Sequence, residues 1–320
     1  MEKASHNELT YFWLPTALGT GAGALLVALA VVSTPAFSRA RAAVEAREPA
    51  LKSQSALVVD QESGEILLGK NAQSKLPIAS LTKLMTAIVM LDAQLDPHEP
   101  VTITKADVDR LRGSHSRLQV GTTLTRDELL HLALMASENR AASALASSYP
   151  GGREACVLAM NLKAQLLGMS GSRFEDATGL SGRNVSTAED LAKLVRAAHA
   201  HPKIRDYSTS TSLQVKIGRR AMRFGNTNRL TLSSRWDIGL SKTGYIAEAG
   251  RCLVMQVTLA ERSIIIVLLD SWGKYTRVAD VTRIRQWLEL ASNLSAQRRS
   301  AGVAPPHGVV SLREWSATPG

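Results

Sequence analysis

The sequence predicts an α+β fold, an antiparallel sheet flanked by helices, with a helical lobe inserted between its first and last strands. Three observations predict it. A strand–turn–strand pattern stands near residue 56, helix-period patterns fill residues 80–200, and short β-like runs fill residues 211–270 before a closing helix.

Ala56-Leu57-Val58-Val59-Asp60 reads as a strand, Glu62-Ser63-Gly64 as a turn, and Glu65-Ile66-Leu67-Leu68 as the hairpin partner. Pro77-Ile78-Ala79 leads into a helix over 80–94, with Leu81, Leu84, Ile88 and Leu91 at helical spacing; Asp96-Pro97 stops it. Residues 101–103 form a short strand. Thr125-Arg126-Asp127-Glu128 has capping-box form and opens a helix through Leu134. A helix over 140–148 follows, then one ending at Leu167 with Gly168 as C-cap. Ser186-Thr187-Ala188-Glu189 is a second capping-box candidate, opening a helix to Ala200 that Pro202 breaks. Strands are expected at 213–217, 221–224, 238–241, 251–259 and 263–269; the last is a continuous apolar run, suited to a strand buried on both faces. An amphipathic helix over 277–291 closes the domain, which runs from 53 to 292. Residues 39–52 read as a polar linker and 293–320 as a disordered tail.

The chain has 320 residues, 45% hydrophobic, enough for a sizeable core. A net charge of +10 favours anionic surroundings: membrane headgroups, nucleic acid or a polyanionic wall. Only 4% of residues are aromatic, and no basic block or nucleic-acid motif occurs, which argues against nucleic acid. Cys156 and Cys252 lack metal spacing; one disulfide or two buried thiols stay open, the latter being the plainer reading. No metal or cofactor is implied.

Residues 9–38 carry no charge, and Leu25–Val32 is densely apolar. Residues 1–38 are therefore a signal peptide or an N-terminal membrane anchor. The head is poorly basic, with Lys3 against Glu2 and Glu8, and Arg39 and Arg41 follow the run, so cleavage and retention both stand. Either sends the remaining chain across the membrane.

Three short motifs then occur in order. Ser80-Leu81-Thr82-Lys83 is S-x-x-K, Ser137-Glu138-Asn139 is S-x-N, and Lys242-Thr243-Gly244 is K-T-G. Each alone is weak: Ser271-Trp272-Gly273-Lys274 and Ser5-His6-Asn7 repeat two of the patterns in the wrong places. Ser80 alone would most simply be a helix N-cap, Ser137 a helix end, and Thr243-Gly244 a turn. Their joint order and local contexts overturn those readings. Residues three apart share a helix face, so Lys83 can reach Ser80. A serine hydroxyl needs a base, and a lysine serves if burial and positive neighbours lower its pKa. Ser137 and Asn139 are expected across the cleft, Ser137 relaying a proton to the leaving amine and Asn139 holding the substrate peptide bond. Lys242 and Thr243 suit the scissile strand and a carboxylate, and Gly244 admits close backbone approach. The N–H groups of Ser80 and Tyr245 are the expected oxyanion hole. Glu138 reads as a solvated position, Glu175 and Asp176 as a polar turn, and His131 as a packed residue. His199 and His201 lack partners for a metal site.

The wording around these motifs is also familiar. Pro77-Ile78-Ala79-Ser80-Leu81-Thr82-Lys83-Leu84-Met85-Thr86-Ala87 resembles the active-site segment of the low-molecular-mass penicillin-binding proteins, which are serine DD-peptidases. Leu132–Ala142, Tyr149-Pro150-Gly151-Gly152, Phe224-Gly225-Asn226-Thr227-Asn228, Leu240–Tyr245 and Gly273-Lys274-Tyr275 resemble their D-alanyl-D-alanine endopeptidase branch, over about residues 55–290. The resemblance implies a β-lactamase/transpeptidase-like fold and a periplasmic enzyme that cuts D-alanyl–diaminopimelyl cross-links in peptidoglycan. It also implies acylation by β-lactams and work beside other cell-wall enzymes. Residue by residue, it carries catalytic and binding roles onto Ser80, Lys83, Ser137, Asn139, Lys242, Thr243 and Gly244. DD-carboxypeptidases of the family often add a C-terminal β-domain and an amphipathic anchor; the short stretch after residue 291 favours the endopeptidase. A carboxypeptidase would share all the chemistry. A β-lactamase would need a water-activating group, and no E-x-x-L-N stretch lies between Ser137 and Lys242. A non-catalytic wall-binding domain is the third alternative.

Overall fold

The computed structural model describes residues 48–300; the export segment expected at 1–38, the linker before residue 48 and the tail beyond residue 300 lie outside the described residues. In chain order the elements are β1 (Ser53–Asp60), β2 (Ile66–Lys70), β3 (Leu76–Pro77), α1 (Thr82–Asp92), β4 (Pro100–Thr102) and β5 (Thr123–Thr125). Then come α2 (Arg126–Met135), α3 (Asn139–Ser147), α4 (Gly152–Leu166), β6 (Val185–Ser186), α5 (Ala188–His199) and α6 (Pro202–Thr209). The last are β7 (Ser212–Ile217), β8 (Arg220–Gly225), β9 (Asp237–Ile246), β10 (Gly250–Leu259), β11 (Arg262–Ser271) and α7 (Thr276–Ser300).

Five of these strands form one sheet in the order β2-β1-β11-β10-β9. β1 pairs antiparallel with β11, Val58 facing Ile266, so the two ends of the domain close on each other. Every residue from Ile264 to Leu269 is buried, because both faces of β11 are covered. Ile265, Val267 and Leu269 join the core of the helical lobe; Ile264, Ile266 and Leu268 join Val281 and Ile284 of α7 on the other face. α1 is buried nearly all round and is packed upon by α4 and α5, as a helix apolar on every side must be. It is the axis of the lobe. Both cysteines are buried and unpaired, and burial pushes the Cys156 thiol up to about 11 and the Cys252 thiol to about 12.

Several local expectations change. Ser80 belongs to a 3-10 turn, Ala79–Leu81, and the N-cap of α1 is Leu81, with no side-chain cap. Thr187, not Ser186, caps α5, accepting from the Asp190 N–H. Pro202 both ends α5 and starts α6 as its first residue, where a missing N–H costs nothing. β9 extends from the expected 238–241 to Ile246 and so takes in the whole K-T-G motif. α7 runs on to Ser300 instead of ending near 291, because no Gly or Pro interrupts it; residues 293–300 are helix, not tail.

α7 is fastened at its first turns by Asp280, which is fully buried. Its carboxylate accepts from the Ser53 N–H at 2.8 Å, the Ser53 hydroxyl at 2.7 Å and Arg283 at 2.6 Å. Removing it strands these donors inside the protein. Asp280→Ala is expected to lower the unfolding free energy, measured in urea, by about 3 kcal/mol; a change under about 0.5 kcal/mol would show that the anchor is idle.

Candidate active site

Ser80 sits where the chain turns into α1, half-exposed at the foot of the lobe. Ala79 before it adopts φ +48, a left-handed conformation that costs a residue with a Cβ. Two contacts hold it there. The Ala79 carbonyl accepts from the Thr82 hydroxyl at 2.8 Å, and Asn184 donates to that hydroxyl at 3.0 Å. Gly179, at φ +80, lies so close that a Cβ on it would come within 2.0 Å of the Ala79 oxygen. Only glycine fits there.

Lys83 lies one turn into the lobe with 1% of its surface exposed. Its Nζ stands 2.8 Å from Ser80 Oγ, 2.8 Å from Asn139 Oδ1 and 2.6 Å from the Thr178 carbonyl. Burial lowers its pKa to about 7, against the pull of the Asp176 and Glu138 charges, which favour the cation. The start of α1 adds to the burial effect, since a helix N-terminus repels positive charge. Neutral Lys83 keeps two hydrogens and one lone pair. The carbonyl oxygens of Asn139 and Thr178 can only accept, so they take the hydrogens, and the lone pair is left facing the Ser80 hydroxyl.

Ser137 occupies the left-handed position (φ +58) between α2 and α3, a place that glycine usually fills at a helix end. Among the described residues its hydroxyl makes no hydrogen bond, so it is not spent on structure. Asn139 opens α3 and donates to Ser114 Oγ at 3.0 Å, which turns its oxygen toward Lys83. Glu138 is not solvated, as its charge suggested. It is 9% exposed and accepts from the Ser116 hydroxyl, tying the 109–121 loop to the motif.

Lys242 and Thr243 are buried on β9, at the edge of the sheet and against the Ala79–Leu81 turn. A Cβ on Gly244 would stand 3.0 Å from the Ile78 carbonyl and 3.1 Å from the Ser80 nitrogen, so this strand packs directly on the serine turn. The Lys242 amine donates to the Thr243 carbonyl at 3.1 Å. Burial, then the charges of Lys83 and Arg277, hold it well below the usual lysine range. Thr243 donates to Thr227 at 2.7 Å, and the Thr227 N–H bonds the Met135 carbonyl at 3.1 Å. Thr227 therefore couples the K-T-G strand to the helix that precedes Ser137. The Tyr245 side chain is exposed beside this strand.

The structure joins Ser80, Lys83 and Asn139 by direct hydrogen bonds and lays the Lys242–Gly244 strand against the Ser80 turn; Ser137 stands two residues before Asn139, and Tyr245 follows Gly244 on β9. It also supplies groups that residue-type reasoning passed over. The Thr178 carbonyl is held by a loop that Asp176 organises, its carboxylate accepting from the N–H groups of Thr178, Gly179 and Ser181 and from the Thr178 hydroxyl. Asn184, fully buried, accepts from the N–H groups of Glu175 and Asp176 and joins the loop to Thr82. Arg277 donates to the Cys252 carbonyl at 3.0 Å and to the Gly244 carbonyl at 3.4 Å, a cation set behind the strand. An Asp-x-Thr-Gly turn and a lone Asn were the available sequence signals for the first two. His131 is packed as expected, stacked on Tyr207 at 4.2 Å with Nε2 2.6 Å from Ser210 Oγ. A cavity of about 610 Å³ opens from Asn139 and Thr178 between Asp109, Arg110, Leu180 and Ser181.

A serine facing a buried amine at the start of a lobe helix, with an edge strand packed against its turn, is the arrangement of a serine enzyme that transfers acyl groups. Comparison with known proteins narrows it. The D-alanyl-D-alanine carboxypeptidase family profile matches residues 42–273, and the chain belongs to that family of serine DD-peptidases. A D-alanyl-D-alanine endopeptidase of Pseudomonas aeruginosa is 47% identical over 241 residues, covering 75% of this chain and 78% of its own length. One of Escherichia coli is 41% identical over 268 residues, covering 83% and 86%. The crystal structure of the Streptomyces K15 DD-transpeptidase superposes with a TM-score of 0.71 at 29% identity, over 75% of this chain and 98% of that one. The antiparallel sheet and inserted lobe are thus the β-lactamase/transpeptidase-like fold the sequence resembled.

Ser137 carries a Cβ in a conformation that glycine adopts freely, without a hydrogen bond in return. Ser137→Gly is expected to raise the unfolding free energy by about 1 kcal/mol. Destabilisation in urea would mean that the hydroxyl carries a structural contact.

Proposed function

We propose that this enzyme is a wall DD-endopeptidase, cutting D-alanyl–diaminopimelyl cross-links of peptidoglycan through an acyl-enzyme on Ser80. The observation that carries the chemistry is the buried Lys83 amine, 2.8 Å from Ser80 Oγ, with its other two partners able only to accept. Neutral Lys83 takes the serine proton as Oγ attacks the carbonyl carbon of the D-alanine joined to diaminopimelate. The oxyanion forms between the N–H groups of Ser80 and Tyr245. Ser137 relays the proton held by Lys83 to the leaving amine, the C–N bond breaks with neutral Lys83 restored, and water later releases the acyl group from Ser80 as the free acid. The substrate strand lies along the open edge of β9, where Gly244 allows close approach. Asn139 holds its peptide bond, while Lys242 and Thr243 meet the carboxylate beside the scissile bond.

The endopeptidase preference is supported by the two relatives of that name at 47% and 41% identity, against 30% or less for the similar carboxypeptidases. An exported, periplasmic location follows from the wall substrate and from the apolar run at 9–38, as a cleaved signal or a retained anchor. β-Lactams acylate Ser80 and are expected to leave slowly, since no E-x-x-L-N stretch lies between Ser137 and Lys242.

Purified enzyme is expected to convert cross-linked muropeptide dimers to monomers. Ser80→Ala is expected to lose both that activity and the mass increment left by penicillin, and Ser137→Gly to cut turnover by about a hundredfold or more. Release of D-alanine from pentapeptides with dimers left intact would make it a carboxypeptidase instead. Acylation that survives Ser80→Ala would remove the nucleophile.

A further inference from the structure

Among the described residues, three aromatic side chains stand well out in solvent: Tyr245 at 59%, Trp272 at 87% and Tyr275 at 71% exposure. The other described aromatics, Tyr149, Phe174, Tyr207, Phe224, Trp236 and Trp287, are buried or half-buried. The three exposed ones come from the same end of the sheet, Tyr245 near the end of β9 and Trp272 and Tyr275 in the turn after β11. Tyr245 is cross-strand partner to Arg251, whose guanidinium lies 4.8 Å from its ring centroid. Arg251 is in turn partner to Ser271, and Trp272 follows at once. Neighbouring strands are about 4.8 Å apart, so the row from Tyr245 to Ser271 spans about 10 Å. Arg277, bonded to the Cys252 and Gly244 carbonyls, holds the 272–277 turn against these strands. Lys274 lies 5.4 Å from the Tyr275 ring centroid.

Exposed aromatic rings gathered in one place, without a fold reason for them, point to a ligand. Here they are interleaved with Arg251, Lys274 and Arg277. The nearby Glu248 is already engaged by Arg112 at 2.9 Å. Flat apolar faces beside cations suit a pyranose ring, whose C–H face packs on an indole or phenol while its polar groups turn outward and acidic substituents meet the cations. A membrane headgroup layer also accepts Trp, Tyr and Lys. The corner, however, is continuous with the catalytic strand, since Tyr245 directly follows Gly244. Whatever occupies it must lie beside a bound wall peptide, and such peptides are carried on glycan strands.

We infer that Tyr245, Trp272 and Tyr275, with Arg251 and Lys274, form a glycan subsite that holds the N-acetylated amino-sugar strand bearing the substrate peptide. The inference rests on the wall-peptide function proposed above. Its test compares Trp272→Ala, Trp272→Phe and Tyr275→Ala with the parent enzyme on two substrates: intact cross-linked wall polymer, and cross-linked peptide dimers freed of glycan. The alanine variants should raise KM for the polymer about three- to tenfold, the size of one aromatic contact. Trp272→Phe should restore it, and turnover of the glycan-free dimers should not change. Equal loss on both substrates, or on neither, overturns the subsite. So does Trp272-dependent binding to anionic phospholipid vesicles with polymer kinetics unchanged, which would give the corner to the membrane. A peptide-free N-acetylglucosamine oligomer separates the two levels of the claim. Its binding, weakened in Trp272→Ala and retained in Ser80→Ala, supports the subsite even if the parent enzyme cuts neither substrate, an outcome that would fault the proposed reaction alone. Binding equal in parent and Trp272→Ala overturns the subsite.

Discussion

The site depends on one buried amine. Lys83 is surrounded by the lobe, and three oxygens close on its nitrogen. Its removal from water shifts a group that would be a cation in solution toward the neutral form, at the end where a serine hydroxyl waits. The rest of the cleft can be understood as keeping those three oxygens in place. Ser114 turns Asn139, the Asp176 loop presents the Thr178 carbonyl, and the Ala79 turn aims Ser80. The nearby Asp176 and Glu138 charges pull the other way, keeping the pKa at about 7 when burial alone would drive it lower. Lys242 approaches from the edge strand, itself buried, and burial followed by the Lys83 charge disfavours the cation there.

This arrangement is made at the expense of local comfort. Ala79 and Ser137 both carry side chains in left-handed backbone, and Gly179 and Gly244 are pressed against the serine turn. Such conformations persist only when the surroundings over-determine them. Here the surroundings are the Asn184–Thr82–Ala79 chain of hydrogen bonds on one side and the Met135–Thr227–Thr243 chain on the other. The sheet supplies the rigid backing. β11, buried on both faces, carries β10 and β9, and Asp280 pins α7 across the back.

The sheet and the grouping of Ser80, Lys83 and Asn139 were legible because their signals are local. Alternating or continuous apolar runs located β10 and β11 within two residues at each end, and the Thr125–Glu128 capping box forms as read. Spacing alone placed Lys83 over Ser80. What stayed hidden has no residue signature. A backbone carbonyl such as that of Thr178 looks like any other in a sequence, and left-handed φ at Ala79 or Ser137 goes against residue preference. Glu138 reads as surface by charge, yet Ser116, more than twenty positions away, gives it a buried partner. Pro202 reads as a helix breaker but also begins α6, and the reach of α7 to Ser300 depends on the absence of a stop signal.

The account is tested most directly by the rate at which penicillin acylates Ser80 as pH is varied from about 5 to 9. As the proposed base Lys83 would act when neutral, and its pKa is lowered to about 7, so it gains the active form as pH rises through that value. The rate is expected to climb about tenfold per pH unit below 7 and to level off above it. A rate that keeps climbing past pH 9, as for a lysine in water, or one indifferent to pH throughout, would contradict it.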